Sequence, residues 1–358
     1  MEDNHQSRHR TFKLFLLLLL IGVLFFIKKD NQDKLIMAFK SLSIRQKALE
    51  LKNSLPVVPT MEDIMFIDDN MAYWNGDKLT IIDKKNNPIL EKQFNFEEPY
   101  AYFGNKSIYV VDTSKGNLYI LDHKGETRER VSINKAVFDL KEDYDNIIIH
   151  TKAQEEELIF LDKKGLILRN HPLEEGDLLT YSLAEDGTIY SISNLVFEDE
   201  LTSWVYLYTI EGQLLENIPI VDEIIIYTQF VDHDLVILTD RALYYIKDGK
   251  IHWKKPFSKI KDISIKDKIY ILHGDYLELI DFNGRTLEKI KVGTQYNRML
   301  LSKSYTYLYG QEQILGLHDN EKILSYRHDT LIKKLIIDGD NIAILDKDGL
   351  HIYKLINK

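Results

Sequence analysis

Four short clusters of oxygen-bearing side chains are the first candidates for chemistry: Asp68, Asp69 and Asn70; Asp143, Asp145 and Asn146; Asp338, Asp340 and Asn341; Asp346, Asp348 and Gly349. Such oxygens suit Ca²⁺, but a calcium loop of the EF-hand type also needs alternating ligands and a closing Glu about a dozen residues on. None of the four has them. Asp, Asn and Gly are equally the residues of tight turns, and each cluster falls where a turn is expected, so they read as turns. The chain has 11 His. His123, His150, His171, His328 and His351 are among them, and none forms H-E-x-x-H or another close ligand pair. His273–Gly274–Asp275 reads as a turn. No G-x-S-x-G, phosphate-loop or dinucleotide-binding string occurs. Cys is absent, which excludes disulfides, thiolate metal sites, iron–sulfur clusters and cysteine nucleophiles. The 21 Tyr are concentrated in short apolar runs. Residues such as Tyr100, Tyr102, Tyr109, Tyr244 and Tyr245 could line a pocket for glycan or peptide, but they fit the half-exposed faces of packed strands better. The sequence therefore names no catalytic, cofactor-binding or metal-ligating residue and implies no cofactor. A site assembled from distant residues stays open.

The elements that would position such a site begin with an uneven charge. The 358 residues carry 46 Lys+Arg against 56 Asp+Glu. Residues 1–53 hold ten basic and five acidic residues, leaving 36 and 51 for residues 54–358. An acidic body argues against a nucleic-acid partner. Cations beside an apolar run suit anionic headgroups.

That run is Leu14–Ile27, fourteen apolar residues without a break, closed by Lys28 and Lys29. With Lys13 snorkelling, Thr11–Ile27 reaches the lower end of the spanning range. A cleavable signal peptide would need a small-residue cut site, and Phe25 to Asp30 offers none. The expectation is a tail at 1–10 and an uncleaved transmembrane signal anchor at 11–29. An amphipathic juxtamembrane helix follows at 30–53, since Leu35, Phe39, Leu42 and Leu49 fall near helical spacing. Counting flanking cations would keep the C-terminal side in the cytoplasm. The ten-residue, signal-like start favours export instead, so the large domain is expected outside the cytoplasm, on a single-pass anchor in the cell membrane.

From residue 55 the pattern changes to short runs of Ile, Leu, Tyr and Val separated by Asp, Asn, Gly and Lys. The unit YAYFGN–KSIYVVD–GNLYILDHKGE–TRERVSI (100–133) reads as four strands joined by tight turns. It recurs at 260–292. Its third strand and turn appear eight times, as in LYILDHKGE (118–126), LIFLDKKGL (158–166) and LELIDFNGR (277–285). Several carry Asp, two residues, then Gly or Asn, which accept positive φ at low cost. First strands starting near 64, 100, 136, 178, 223, 260, 296 and 332 give a period of about 36–45 residues, the mark of a β-propeller. The expectation is all-β: eight four-stranded blades over 54–358, or seven if the 178–222 unit or the last one is irregular. The last unit lacks a fourth strand. Residues 54–58 would supply it and remove two open sheet edges.

The stretch LYYIKDGKIHWKKPF (243–257) resembles the repeat of the pyrroloquinoline-quinone-like propellers through Gly249, Lys250 and Trp253. That superfamily includes quinoprotein dehydrogenases and the propeller lipoprotein of outer-membrane assembly. The resemblance implies that Trp253 docks between neighbouring blades, whereas Trp74 and Trp204 sit elsewhere in their units. An anchor followed by a propeller also resembles uncharacterised membrane-anchored propeller proteins of Gram-positive bacteria. A quinone-dependent dehydrogenase would need a bound quinone, a Ca²⁺ with oxygen ligands and a carboxylate base in the channel. Such enzymes usually have longer blade insertions and often a vicinal disulfide. The compact blades and missing Cys make the resemblance one of scaffold rather than activity. The expected role is a binding scaffold or sensor in the cell envelope, with a protein or cell-wall polymer as partner. The alternative is a tethered enzyme, acting on glycan, peptide or alcohol, with its site in the channel.

Overall fold

Alternating apolar residues bounded by turn formers fold each repeat into an antiparallel four-stranded sheet. The computed structural model describes residues 46–358, apart from 57–60, 69, 106, 145, 153–155, 174–175 and 198. The described residues form thirty-two strands, β1–β32, in eight sheets of four. The first strands of the blades are β2 (Met61–Ile67), β6 (Pro99–Phe103), β10 (Val137–Asp143), β14 (Asp177–Leu183), β18 (Ile225–Val231), β22 (Ile260–Ile265), β26 (Arg298–Ser302) and β30 (Lys334–Asp338). These strands neighbour one another around the axis, so they line the channel. The architecture is an eight-bladed β-propeller, and the 178–222 unit is a full blade.

The eight hydrophobic clusters sit between consecutive blades. Val205 and Leu207 of blade 4 meet Phe230, Leu235 and Ile237 of blade 5. Ile64, Met71 and Ile82 of blade 1 meet Ala343, Leu345 and Leu350 of blade 8. Each buried aliphatic side chain is worth roughly 1.5–3 kcal/mol. No blade can bury both faces alone, which is why the ring has to close.

Closure differs from the expected segment. The strand that completes blade 8 is β1 (Lys47–Pro56), antiparallel to β32 (Gly349–Asn357), with Lys47 opposite Asn357 and Pro56 opposite Gly349. Residues 47–53, expected at the end of a helix, are therefore strand. Leu49 packs on the blade 7–8 cluster, and pairing with β32 satisfies a backbone edge that a helix would leave open. Residues 57–58 of the expected strand lie outside the described residues. So do the anchor at 11–29 and most of the expected juxtamembrane helix. No helix among the described residues is long and apolar enough to cross a membrane.

The repeated Asp-x-x-Gly/Asn motif has a double role at the turns between third and fourth strands. Asp122 Oδ1 accepts the N–H of Lys124 at 2.9 Å and of Glu126 at 3.0 Å. Asp83, Asp162 and Asp281 do the same in their blades. The residue with positive φ then lies against the fourth strand of the preceding blade. Gly125 packs on Leu90, Gly212 on Arg169 and Gly284 on Trp253. Asn86 Nδ2 donates to Asn53 Oδ1 at 2.8 Å, extending the pattern across the closing seam. Gly212 (φ 88°) and Gly284 (φ 82°) have left-handed backbone, which favours glycine, and a Cβ would also displace the Arg169 guanidinium at Gly212 and crowd the Trp253 ring at Gly284.

Candidate functional site

Departures from eightfold repetition are where a propeller can carry function, and blade 4 departs most. Its second and third strands, β15 (Ile189–Phe197) and β16 (Leu201–Thr209), have nine residues each, and its outer strand β17 (Leu214–Val221) has eight. The outer strand of blade 3, β13 (Ile167–Pro172), has only six. Alternation along β16 turns Val205 and Leu207 into the blade 5 contact and Trp204, Tyr206 and Tyr208 toward blade 3. The blade 3 strand ends before it covers them. The result is a groove of about 420 Å³ lined by Arg169, His171, Ile192, Asn194, Tyr206 and Tyr208.

Its lining rings Tyr206 and Tyr208 belong to a longer aromatic run. Trp204 and Tyr206 stack at 6.2 Å between centroids, Tyr206 and Tyr208 at 6.3 Å, and Tyr208 and Tyr190 at 5.2 Å with planes 19° apart. His171 lies 4.7 Å from the Tyr208 ring, and its Nδ1 is 2.9 Å from the Tyr190 hydroxyl. Burial pushes the Tyr190 hydroxyl up to about 12, with the positive Arg169 beside it partly opposing the rise. It stays protonated near neutral pH and serves as a hydrogen-bonding group rather than an acid or base. Aromatic faces, a guanidinium and an amide in one groove suit an extended chain with planar or polar groups.

The same hairpin carries Phe197 at its tip, 75% exposed. It lies on the face formed by second-to-third-strand turns and blade-to-blade connections. Register shifts in the first strands of blades 3 and 5 leave two more apolar residues out on this face: Phe138, 65% exposed, and Ile226, 52% exposed. A bulge re-aims a side chain in this way.

The first strands carry carboxylates, and four of them are tied to a neighbouring blade. Asp63 pairs with Lys334. Asp139 accepts the Tyr181 hydroxyl at 2.9 Å, and Asp143 accepts the Leu183 N–H at 3.0 Å. Asp262 accepts the Met299 N–H at 2.7 Å, while burial raises its pKa. These bonds hold the ring of first strands together.

At the closing seam, residues dispersed in sequence converge. Asp346 Oδ2 accepts from His328 Nε2 at 2.7 Å and from the Thr330 hydroxyl, and His351 Nε2 lies 3.3 Å away. Its Oδ1 accepts the N–H of Asp348 at 2.7 Å and of Gly349 at 2.8 Å. Burial alone would raise this carboxyl; the bonds from Thr330, His328 and the backbone outweigh it and hold it well below the usual range. His351 Nδ1 lies 3.0 Å from Ser54 Oγ. Ser54, His351 and Asp346 thus stand in the order of an acyl-transfer relay. However, the Ser54 N–H, which could have served an oxyanion, is bonded to Asn53 Oδ1 at 2.9 Å. The cluster links β1, β32 and the connection out of blade 7.

Local spacing could not find this cluster, because its members approach only through the blade turn. Of the four acidic clusters, Asp68 (φ 51°) is a turn, and Asp346 caps the turn that follows it while also holding two His. Asp69 and Asp145 lie outside the described residues. Tyr109, Tyr244, Tyr245 and Tyr307 are buried between blades. The groove tyrosines are Tyr206 and Tyr208, with the buried Tyr190 behind them. Their signal was Trp204, Tyr206 and Tyr208 at a period of two in the longest repeat.

No curated protein matches the sequence. Among solved structures, the chain is similar to BamB from Moraxella catarrhalis, at 12% identity over 86% of this chain and 100% of that one, with a TM-score of 0.57. The C-terminal WD40 domain of Sif2 shows 13% identity, 87% and 99% coverage and a TM-score of 0.65. Sqt1 of Saccharomyces cerevisiae shows 9%, 88% and 99%, with 0.59. At such identities the likeness is one of fold. The model of a family of unknown function, DUF5711, matches residues 50–358, and the chain belongs to that family.

Proposed function

We propose that this chain is a membrane-anchored, extracytoplasmic propeller that holds a protein segment against blade 4 and acts as a scaffold in the cell envelope. The observation that carries the reading is the length mismatch between blades 3 and 4. It leaves Tyr206 and Tyr208 half-buried along a groove beside Arg169, and it puts Phe197 exposed at the hairpin tip. An extended peptide can lie along such a strand-flanked groove, with stacking for affinity and Arg169 for an acidic or carbonyl group. Asp63, Asp139, Asp143 and Asp262 are already bonded to adjacent blades, which favours binding over catalysis at these carboxylates.

The anchor reading rests on the apolar run Leu14–Ile27. Strand β1 begins at Lys47 beside the chain end, where the Lys358 N–H reaches Gln46 O at 2.8 Å, and rises to Pro56. A tether would therefore join the face opposite Phe197 and leave the hairpin pointing away from the bilayer. Exposed Ile89, Ile167, Ile251 and Leu287, just past the third-to-fourth-strand turns, lie toward the tether side. The interblade seat of Trp253 supports a quinoprotein-like repeat in blade 5.

Photo-cross-linking in intact cells tests the reading. A benzophenone side chain at Phe197 is expected to yield one discrete adduct. The same probe at Asp275, the corresponding turn of blade 6, is expected to yield none. Equal adduct patterns at both positions would count against a blade 4 site.

A further inference from the structure

The seam cluster brings two imidazole nitrogens onto one oxygen of a buried carboxylate. Four hydrogen bonds fill the Asp346 carboxylate, which offers about four lone-pair positions, and His351 Nε2 stands 3.3 Å from the same Oδ2. His328 and Thr330 donate to Oδ2. The two imidazole Nε2 atoms nearest Oδ2, of His328 and His351, can each act as a metal ligand once unprotonated. Among the described residues, His328, Asp346 and His351 are the group whose ligating atoms lie within 4.8 Å of one another.

The geometry points to a divalent transition-metal site of the zinc class, with His328 Nε2, His351 Nε2 and Asp346 Oδ2 as ligands. Ligand atoms around a tetrahedral zinc stand roughly 3.3 Å apart, given bonds of about 2.0–2.2 Å. The present Nε2–Oδ2 separations are 2.7 and 3.3 Å, so a cation needs a shift of about half an ångström at His328. The outer ring nitrogens already have the partners that metal-bound imidazoles need. His351 Nδ1 faces Ser54 Oγ at 3.0 Å, and His328 Nδ1 faces the Tyr326 hydroxyl at 3.4 Å. That hydroxyl in turn donates to Tyr353 at 3.1 Å. With the cation bound, each Nδ1 carries the proton and donates outward. Asp346 Oδ1 keeps its two backbone donors, which fix the carboxylate. His328 and Asp346 are buried and His351 is partly exposed, so the fourth position opens on the His351 side and takes water.

The consequence is mechanical. The chain has no Cys to lock its ends. A cation here would hold the connection into blade 8 to β32 and, through Ser54, to the closing strand β1.

The test uses the full chain in detergent, carrying His5→Asn and His9→Asn so that the N-terminal segment contributes no imidazole. After chelation it is titrated with Co²⁺ and with Zn²⁺. The expected result is one equivalent of Co²⁺ with the visible absorption of a four-coordinate N/O site. Zn²⁺ displaces it, and the thermal midpoint climbs as free Zn²⁺ rises. His351→Gln, at the partly exposed ligand, keeps the folded circular dichroism spectrum and loses at least tenfold in affinity. Absence of stoichiometric binding by a folded chain overturns the site. So does a Co²⁺ spectrum unchanged in both His351→Gln and Asp346→Asn, since it would place the metal elsewhere. Should Asp346→Asn fail to fold, His351→Gln alone decides.

Discussion

Trp253 Nε1–H donates to the carbonyl of Phe282 at 3.0 Å, across the boundary between blades 5 and 6. The ring also stacks on Tyr245 at 5.7 Å, with planes 5° apart, and covers Gly284, where a Cβ would lie 3.0 Å from Cδ2. One side chain thus joins two blades through a hydrogen bond and a stacking contact. Trp253→Phe is expected to lose the hydrogen bond, about 1 kcal/mol. Trp253→Ala is expected to cost about 3 kcal/mol by opening the slot. Urea unfolding of the two variants checks the order; a Trp253→Phe variant as stable as the parent would show that the indole N–H contributes nothing, and equal losses would show the same of the slot.

The same interface contains a carboxylate whose protonation should weaken the ring. Burial alone would raise Glu278. Its bonds to Lys255 (2.7 Å) and Thr286 (2.6 Å), with the charges of Lys255 and Lys289, outweigh that and bring it down to about 2 from an ordinary 4.5. A depressed carboxylate contributes in full above the unfolded value and loses its contribution as pH falls through the folded one. Stability should therefore decline between about pH 4.5 and about pH 2. The decline attributable to this group should be on the order of 2 kcal/mol. Glu278→Gln is expected to be less stable at neutral pH and to show a flatter acid limb in urea titrations. An acid limb of unchanged slope would contradict the assignment.

Removal of residues 46–56 would leave β32 as an open edge beside a ring with no other closure. Such an edge pairs with other chains. Light scattering is expected to show self-association of the truncated protein, together with a lower and broader thermal transition. A monodisperse monomer with the parent midpoint would show that β1 is dispensable.

These interblade features explain how far the sequence could be read. The period, the third-strand markers and the tight turns were legible because each turn must solve the same local problem: an Asp caps backbone N–H groups ahead of a residue with positive φ. The closing strand was displaced because Lys47–Asn53 alternates in a way that also fits helical spacing, and only the unpaired edge of β32 chooses between them. The seam cluster was illegible, since His328 and Asp346 are 18 residues apart and meet only once a blade connection folds over a turn. The groove was half legible. Trp204, Tyr206 and Tyr208 announce a face, but its exposure depends on where the blade 3 strand stops.

Absence of Cys makes topology directly readable. Phe197→Cys introduces a single, exposed thiol. Intact cells treated with a membrane-impermeant maleimide are expected to label it to the same extent as lysed cells. Labelling only after lysis would place the propeller in the cytoplasm.

The groove itself supplies the most direct test of the binding account. The yield of the cross-link from position 197 should be compared between the parent chain and the Arg169→Ala/Tyr206→Ala double variant, after both give the same unfolding midpoint within about 1 kcal/mol. The account predicts at least a tenfold loss of adduct, because the stacking face and the guanidinium go together. An undiminished adduct in the folded double variant would contradict it.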